Sequence, residues 1–151
     1  MRSTLSRSTR ARTFFVSAAV VAVSLLQGCM LFSKPPADLD YSRTRTSEAG
    51  RYTATIKPEG DTIPKGKLQR WTLHLETANG APVDACTITV DGGMPQHGHG
   101  LPTKPRVTRP LGNGDHLVEG MKFNMGGWWV VKFRVASATA GADSVVFNVK
   151  L

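Results

Sequence analysis

Between Arg51 and Leu151 apolar and polar side chains alternate with a period of two. RYTATIK (51–57), LQRWTLHLE (68–76), ACTITV (85–90), DHLVEGMKF (115–123), GWWVVKFRV (127–135) and DSVVFNVKL (143–151) read as strands, and PRVTR (105–109) adds a weaker seventh. Turn clusters separate them: PEGD, NGAP, DGG, GNGD and TAGAD. No apolar stripe of helical period persists long enough to make a helix. Successive side chains on a strand point to opposite faces, so alternation also names the inward set. Trp71, Leu73 and Leu75 share a face, as do Cys86, Ile88 and Val90, then Trp129, Val131, Phe133 and Val135, and finally Val145, Phe147, Val149 and Leu151. The expected fold is all-β, an immunoglobulin-like sandwich of about seven strands. An open barrel satisfies the same pattern.

The pattern changes character before residue 51. Arg2, Arg7, Arg10 and Arg12 form a basic leader, and FFVSAAVVAVSLL (14–26) is an apolar run too short for a comfortable membrane span. It ends in LQGC, Leu26 to Cys29, which resembles the lipobox of bacterial lipoproteins. That resemblance implies cleavage after Gly28 and lipidation of Cys29, with Met30 in the following position pointing to the outer membrane, facing the periplasm. Residues 1–28 then form a signal peptide and residues 29–50 a lipidated cysteine with a flexible tether. Residues 51–151 form one domain, long enough for a single core. About 18 tether residues span roughly 60 Å at most.

Processing alters the charge. The full chain carries 19 basic and 11 acidic residues, a formal +8, but four arginines belong to the leader, so the mature chain holds 15 against 11. Its basic residues are scattered and no aromatic-interleaved basic stripe exists, which argues against nucleic acid as a partner. Cys29 is claimed by lipid, so Cys86 has no partner for an internal disulfide. Its inward parity makes it a small buried hydrophobe. His74 and His116 read as surface residues.

Candidate chemistry concentrates in MPQHGHG (94–100), directly after the strand that ends at Val90 and its DGG turn. Gly98 and Gly100 free the backbone around His97 and His99, while Pro95 restrains the approach. Such a loop can present two imidazoles together; it can equally be a solvent-facing turn. Imidazole with thioether favours copper, above all Cu(I), over the oxygen-seeking magnesium and calcium. Met125, in FNMGGWW, supplies a second thioether if its strand end lies on the same side. Met121 is better assigned to packing.

The run from Met94 to Val135 also resembles the YtkA-like or FixH-like domains, in which a Met-Pro-x-His-Gly-His segment, a Pro-x-Val-Thr stretch, a Gly-x-Gly turn and a Met-Pro-Gly-x-Trp segment recur in that order. The resemblance implies a small envelope β-sandwich linked to copper handling and to assembly of copper-containing oxidases. It implies Met94, His97, His99 and Met125 as the metal set, with Trp129 as a structural tryptophan. Gly126 stands where the family has proline. A lipid anchor also departs from members held by a transmembrane helix. The implied partners are the membrane, through the lipid, and an envelope cuproprotein or copper donor.

No nucleophile triad, phosphate loop or acid pair accompanies the histidines, so an enzyme is not expected. Three classes stay open: a copper chaperone or buffer, a module that docks an envelope partner without metal, and a structural lipoprotein.

Overall fold

The computed structural model describes residues 34–151. The leader, the lipobox cysteine Cys29 and the first tether residues lie outside the described residues. The chain from residue 44 builds nine strands: β1 (Thr44–Thr46), β2 (Tyr52–Pro58), β3 (Gln69–Thr77), β4 (Cys86–Met94), β5 (His99–Gly100), β6 (Arg106–Gly112), β7 (Asp115–Met121), β8 (Trp128–Ser137) and β9 (Gly141–Lys150). Every pairing is antiparallel. One sheet has the order β1-β2-β3-β7-β6 and the other β5-β4-β8-β9. Without β1 and β5 these are the ABED and CFG sheets of an immunoglobulin sandwich, which decides between sandwich and barrel. Among the described residues no helix is long and apolar enough to cross a membrane.

The core lies between the inner faces. Tyr52, Ala54 and Ile56 of β2, Trp71, Leu73 and Leu75 of β3 and Val118 of β7 meet Trp129, Val131, Phe133 and Val135 of β8 and Val145, Phe147 and Val149 of β9. All of these are buried. A fully buried side chain of this size contributes roughly 1.5–3 kcal/mol through removal from water, so this layer dominates stability. Among the described residues every buried apolar side chain falls between Tyr52 and Val149, so residues 34–151 close a core of their own.

Two local readings change. Ordered structure begins inside the stretch read as a tether: β1 pairs with β2, and the Asp40 carbonyl accepts Asn148 Nδ2 at 3.0 Å. The Ser47–Arg51 turn is then fastened to Asp143 of β9, whose carboxylate accepts Ser47 Oγ (2.6 Å) and the amides of Ala49 (3.1 Å) and Arg51 (3.2 Å). Burial alone would raise the Asp143 carboxyl. These bonds and the Ser144 amide outweigh it and hold the group at about 2.

His116 is the second change. It is buried, with Nε2–H donating to the Val83 carbonyl at 2.7 Å. The alternation in DHLVEGMKF is broken at Gly120, where φ is +82° and the pairing with β3 shifts register, so His116 and Val118 face inward before the break and Met121 and Phe123 after it. His74 keeps its place on the outer face of the first sheet, where its ring is bonded to Asp115 at 2.7 Å and lies 3.4 Å from Glu76.

Cys86 is half-buried on the inward parity of β4, its thiol 3.7 Å from His116 Nε2. Burial, followed by the nearby Asp84 carboxylate, pushes this thiol up. The thiolate is therefore disfavoured, consistent with a packing role.

Candidate metal centre

The histidine loop is a tight reversal built on the end of β4. Met94 closes that strand, Pro95–His97 make one 3-10 turn, and Gly98 takes a left-handed conformation at φ 64°. The Gly98 amide bonds the Met94 carbonyl at 3.0 Å. His99 then runs back beside β4 with Met94 as its cross-strand partner. Gly98 is thus the hinge that points both imidazoles outward on consecutive sides of one turn, a conformation that side chains with a Cβ rarely adopt. Gly93 permits the close return: a Cβ there would lie 2.4 Å from the His99 carbonyl oxygen.

Both imidazoles are exposed, and their ring centroids lie 5.9 Å apart with planes 25° from parallel. One ion about 2 Å from a nitrogen of each ring separates the centroids by about 6 Å at most, so the present spacing lies at the outer limit for a shared ion. His99 Nδ1 lies 3.0 Å from the Gly100 carbonyl oxygen. When it donates there, Nε2 is the free lone pair.

Beneath the loop stands Trp129, fully buried on β8. His99 packs on it edge to face at 5.5 Å, and Phe123 does so from the other side at 5.3 Å, with Trp71 stacked behind at 5.7 Å. The indole N–H donates to the Met125 carbonyl at 3.1 Å. One tryptophan therefore fixes the histidine loop and the Met125 segment at the same end of the sandwich. Gly127 is pinned beside it by reciprocal bonds with Leu151, at 3.0 and 3.1 Å.

The two thioethers differ. Met94 is 1% exposed and its methyl fills the space above Gly127, where a Cβ would stand 2.6 Å away. Met125 is 37% exposed, beside the loop. Three of the four candidate donors, His97, His99 and Met125, thus face solvent, and the fourth, Met94, lies in the core directly below. Among the described residues no group of three or more His, Cys, Asp or Glu side chains is arranged to hold a metal ion. An ion at this loop must therefore draw on thioether or backbone donors to complete its shell. A shallow groove of about 430 Å³ adjoins the loop, lined by Asp91, Gly93, Met94, Pro95, His99 and Lys132.

Residues 46–134 match the family model described as YtkA-like. The chain belongs to the YtkA-like family. The matched span holds all four candidate donors and Trp129, and leaves β9 outside. No curated protein matches the chain. Among solved structures it is similar to a ZirS C-terminal domain, at 12% identity over 98% of this chain and 88% of that one, with a TM-score of 0.39.

Gly127 is the site residue that sequence patterning did not single out for a role in ligand placement. Its signal is the Gly126-Gly127 pair before Trp128-Trp129. Gly127 is the space into which Met94 extends, and it thereby keeps the thioether under the loop.

Proposed function

We propose that this YtkA-like chain is an envelope lipoprotein, anchored through Cys29, whose sandwich binds one copper ion at the β4–β5 loop and acts as a copper chaperone or buffer. The observation that carries the reading is the pair of exposed imidazoles 5.9 Å apart, one of which, His99, packs on Trp129. Met125 supplies the soft donor at the rim and Met94 the one beneath it. Thioether ligates Cu(I) well and Cu(II) weakly, so the reduced ion is the preferred cargo. Solvent access to three of the donors suits a carrier that must surrender its ion. The lipobox resemblance supports a carrier at the outer membrane, facing the periplasm, and its role would be cuproenzyme assembly or copper tolerance. Binding, without catalysis, is the chemistry assigned.

The test is metal titration of residues 34–151 with Cu(I) under anaerobic reducing conditions, beside Cu(II) and Zn(II), read by chelator competition and by Trp129 fluorescence. One equivalent of Cu(I) is expected. Met125→Leu should weaken Cu(I) far more than Cu(II), and it is the cleaner of the two methionine tests because that side chain is exposed. Retention of copper after removal of both histidines would overturn the assignment.

A further inference from the structure

Five lysines of the domain gather at its loop end. At the loop end stand Lys65 and Lys67 in the β2–β3 connection, whose Gly66 amide bonds the Phe123 carbonyl at 2.7 Å; Lys122 beside Phe123; Lys104, whose neighbour Thr103 bonds Gly120; and Lys150, cross-strand from Trp128. None of the five makes an ion pair among the described residues. Three of the acids there are answered, Glu59 by Arg70, Asp40 by Arg45 and Asp91 by Arg134, leaving Asp38, Asp61 and a Glu119 flanked by Arg70 and Arg106. The far end holds Glu48, Glu76, Asp84, Asp115 and Asp143, grouped around the turns that close it.

Two further features share the lysine end. Three of the four large exposed apolar side chains among the described residues lie there, Leu68 at 68%, Tyr41 at 40% and Met125 at 37%, while Leu111 at 44% lies at the far end. The chain also enters there: Asp40 is bonded to Asn148, which accepts the Trp128 indole N–H at 3.0 Å. The stretch from Cys29 to Leu39 spans roughly 40 Å at most when extended, so an anchor on Cys29 would leave this end within reach of the lipid surface.

We propose that the loop end of the sandwich is a membrane-docking face that rests on anionic phospholipid, with the lysines on headgroup phosphates and Leu68 and Tyr41 at the acyl boundary. Charge complementarity and the point of chain entry both select this face, and the acidic far end is turned to the periplasm by the same field. The proposal stands apart from the copper reading, although it would set the candidate site against the membrane. A partner receiving the ion would then be one that lies in or on the bilayer.

The experiment is cosedimentation of metal-free residues 34–151 with vesicles of phosphatidylglycerol and phosphatidylethanolamine, against vesicles of phosphatidylcholine. Binding to the anionic vesicles alone, falling as salt is raised, is expected. The triple variant Lys65→Glu, Lys67→Glu, Lys122→Glu should lose binding by on the order of 10- to 100-fold. A control of equal charge change elsewhere, Arg51→Glu, Arg109→Glu, Arg134→Glu, should stay within about threefold, since these groups lie off the face. Near-UV circular dichroism checks that each variant is folded, and Lys→Gln replacements at the same positions repeat the measurement where one is not. Equal binding to both vesicle types, no binding to either, or equal loss in both triple variants would overturn the proposal.

Discussion

The two ends of this sandwich are made from the same strands and finish their polar groups in opposite ways. At the far end the Asp143 carboxylate gathers the Ser47 hydroxyl and three backbone amides, and Tyr52 Oη–H reaches across to the Gly141 carbonyl. Donors there are consumed within the chain. At the loop end two imidazoles, a thioether and five ammonium groups are held in place and left facing outward. Backbone geometry accounts for the difference. The far end closes with polar turns that fold onto one carboxylate, whereas Gly98 at the loop end turns the two histidines outward, where the interior does not absorb them. A closed end resists change, and an open one is available for binding.

The sharpest way to break that contrast is to remove what supports the open end. Trp129→Ala empties a buried site flanked by Phe123 and His99 and should cost about 3–5 kcal/mol in urea unfolding. Copper affinity should fall with it, since loop and Met125 segment share that indole. Next in size, the double change His97→Ala, His99→Ala should lower copper affinity by on the order of 100-fold while moving stability by less than about 0.5 kcal/mol, because both rings are exposed. A large loss of stability would mean that the loop end is closed after all.

Asp143→Asn probes the far end and should cost about 1–2 kcal/mol, a figure already reduced for solvent screening. Its carboxyl is held at about 2, below its ordinary value near 4. A depressed carboxyl stabilises the fold above its unfolded value, so that contribution is full above about pH 4 and is lost as pH falls toward 2. Stability curves of parent and variant should converge across that window while copper affinity measured at neutral pH is unchanged. The smallest effect is expected of Cys86→Ala: under about 1 kcal/mol, with unaltered copper stoichiometry. The parent thiol should label slowly, and rapid labelling would move Cys86 out of the packing layer.

Most of the sandwich was legible because burial on one face imposes a period of two. The strands carrying Trp71, Phe133 and Phe147 read correctly for that reason. β1 was not legible, since TRT has no apolar alternation and forms a strand only because the edge of β2 is there to pair with. β5 is two residues long and owes its existence to the Gly98 hinge. His116 was misread because a single left-handed glycine, Gly120, exchanges inside and outside along its strand. Within the candidate site, His97 and His99 could be picked out by composition. The burial of Met94 could not, because it depends on Gly127, more than thirty residues away.

The pairing of β1 has a mechanical consequence. Residues before Asp40 leave from the loop end, and β1 runs from there toward the Ser47–Asp143 fastening, with Thr44, Arg45 and Thr46 bonded in register to Thr55, Ala54 and Thr53. Tension on the N-terminal side therefore acts along the strand axis. The ladder and the far-end carboxylate bear that load together in shear, where a strand leaving at right angles would unzip one bond at a time. A domain tugged by its own tether is gripped most firmly where the pull arrives last.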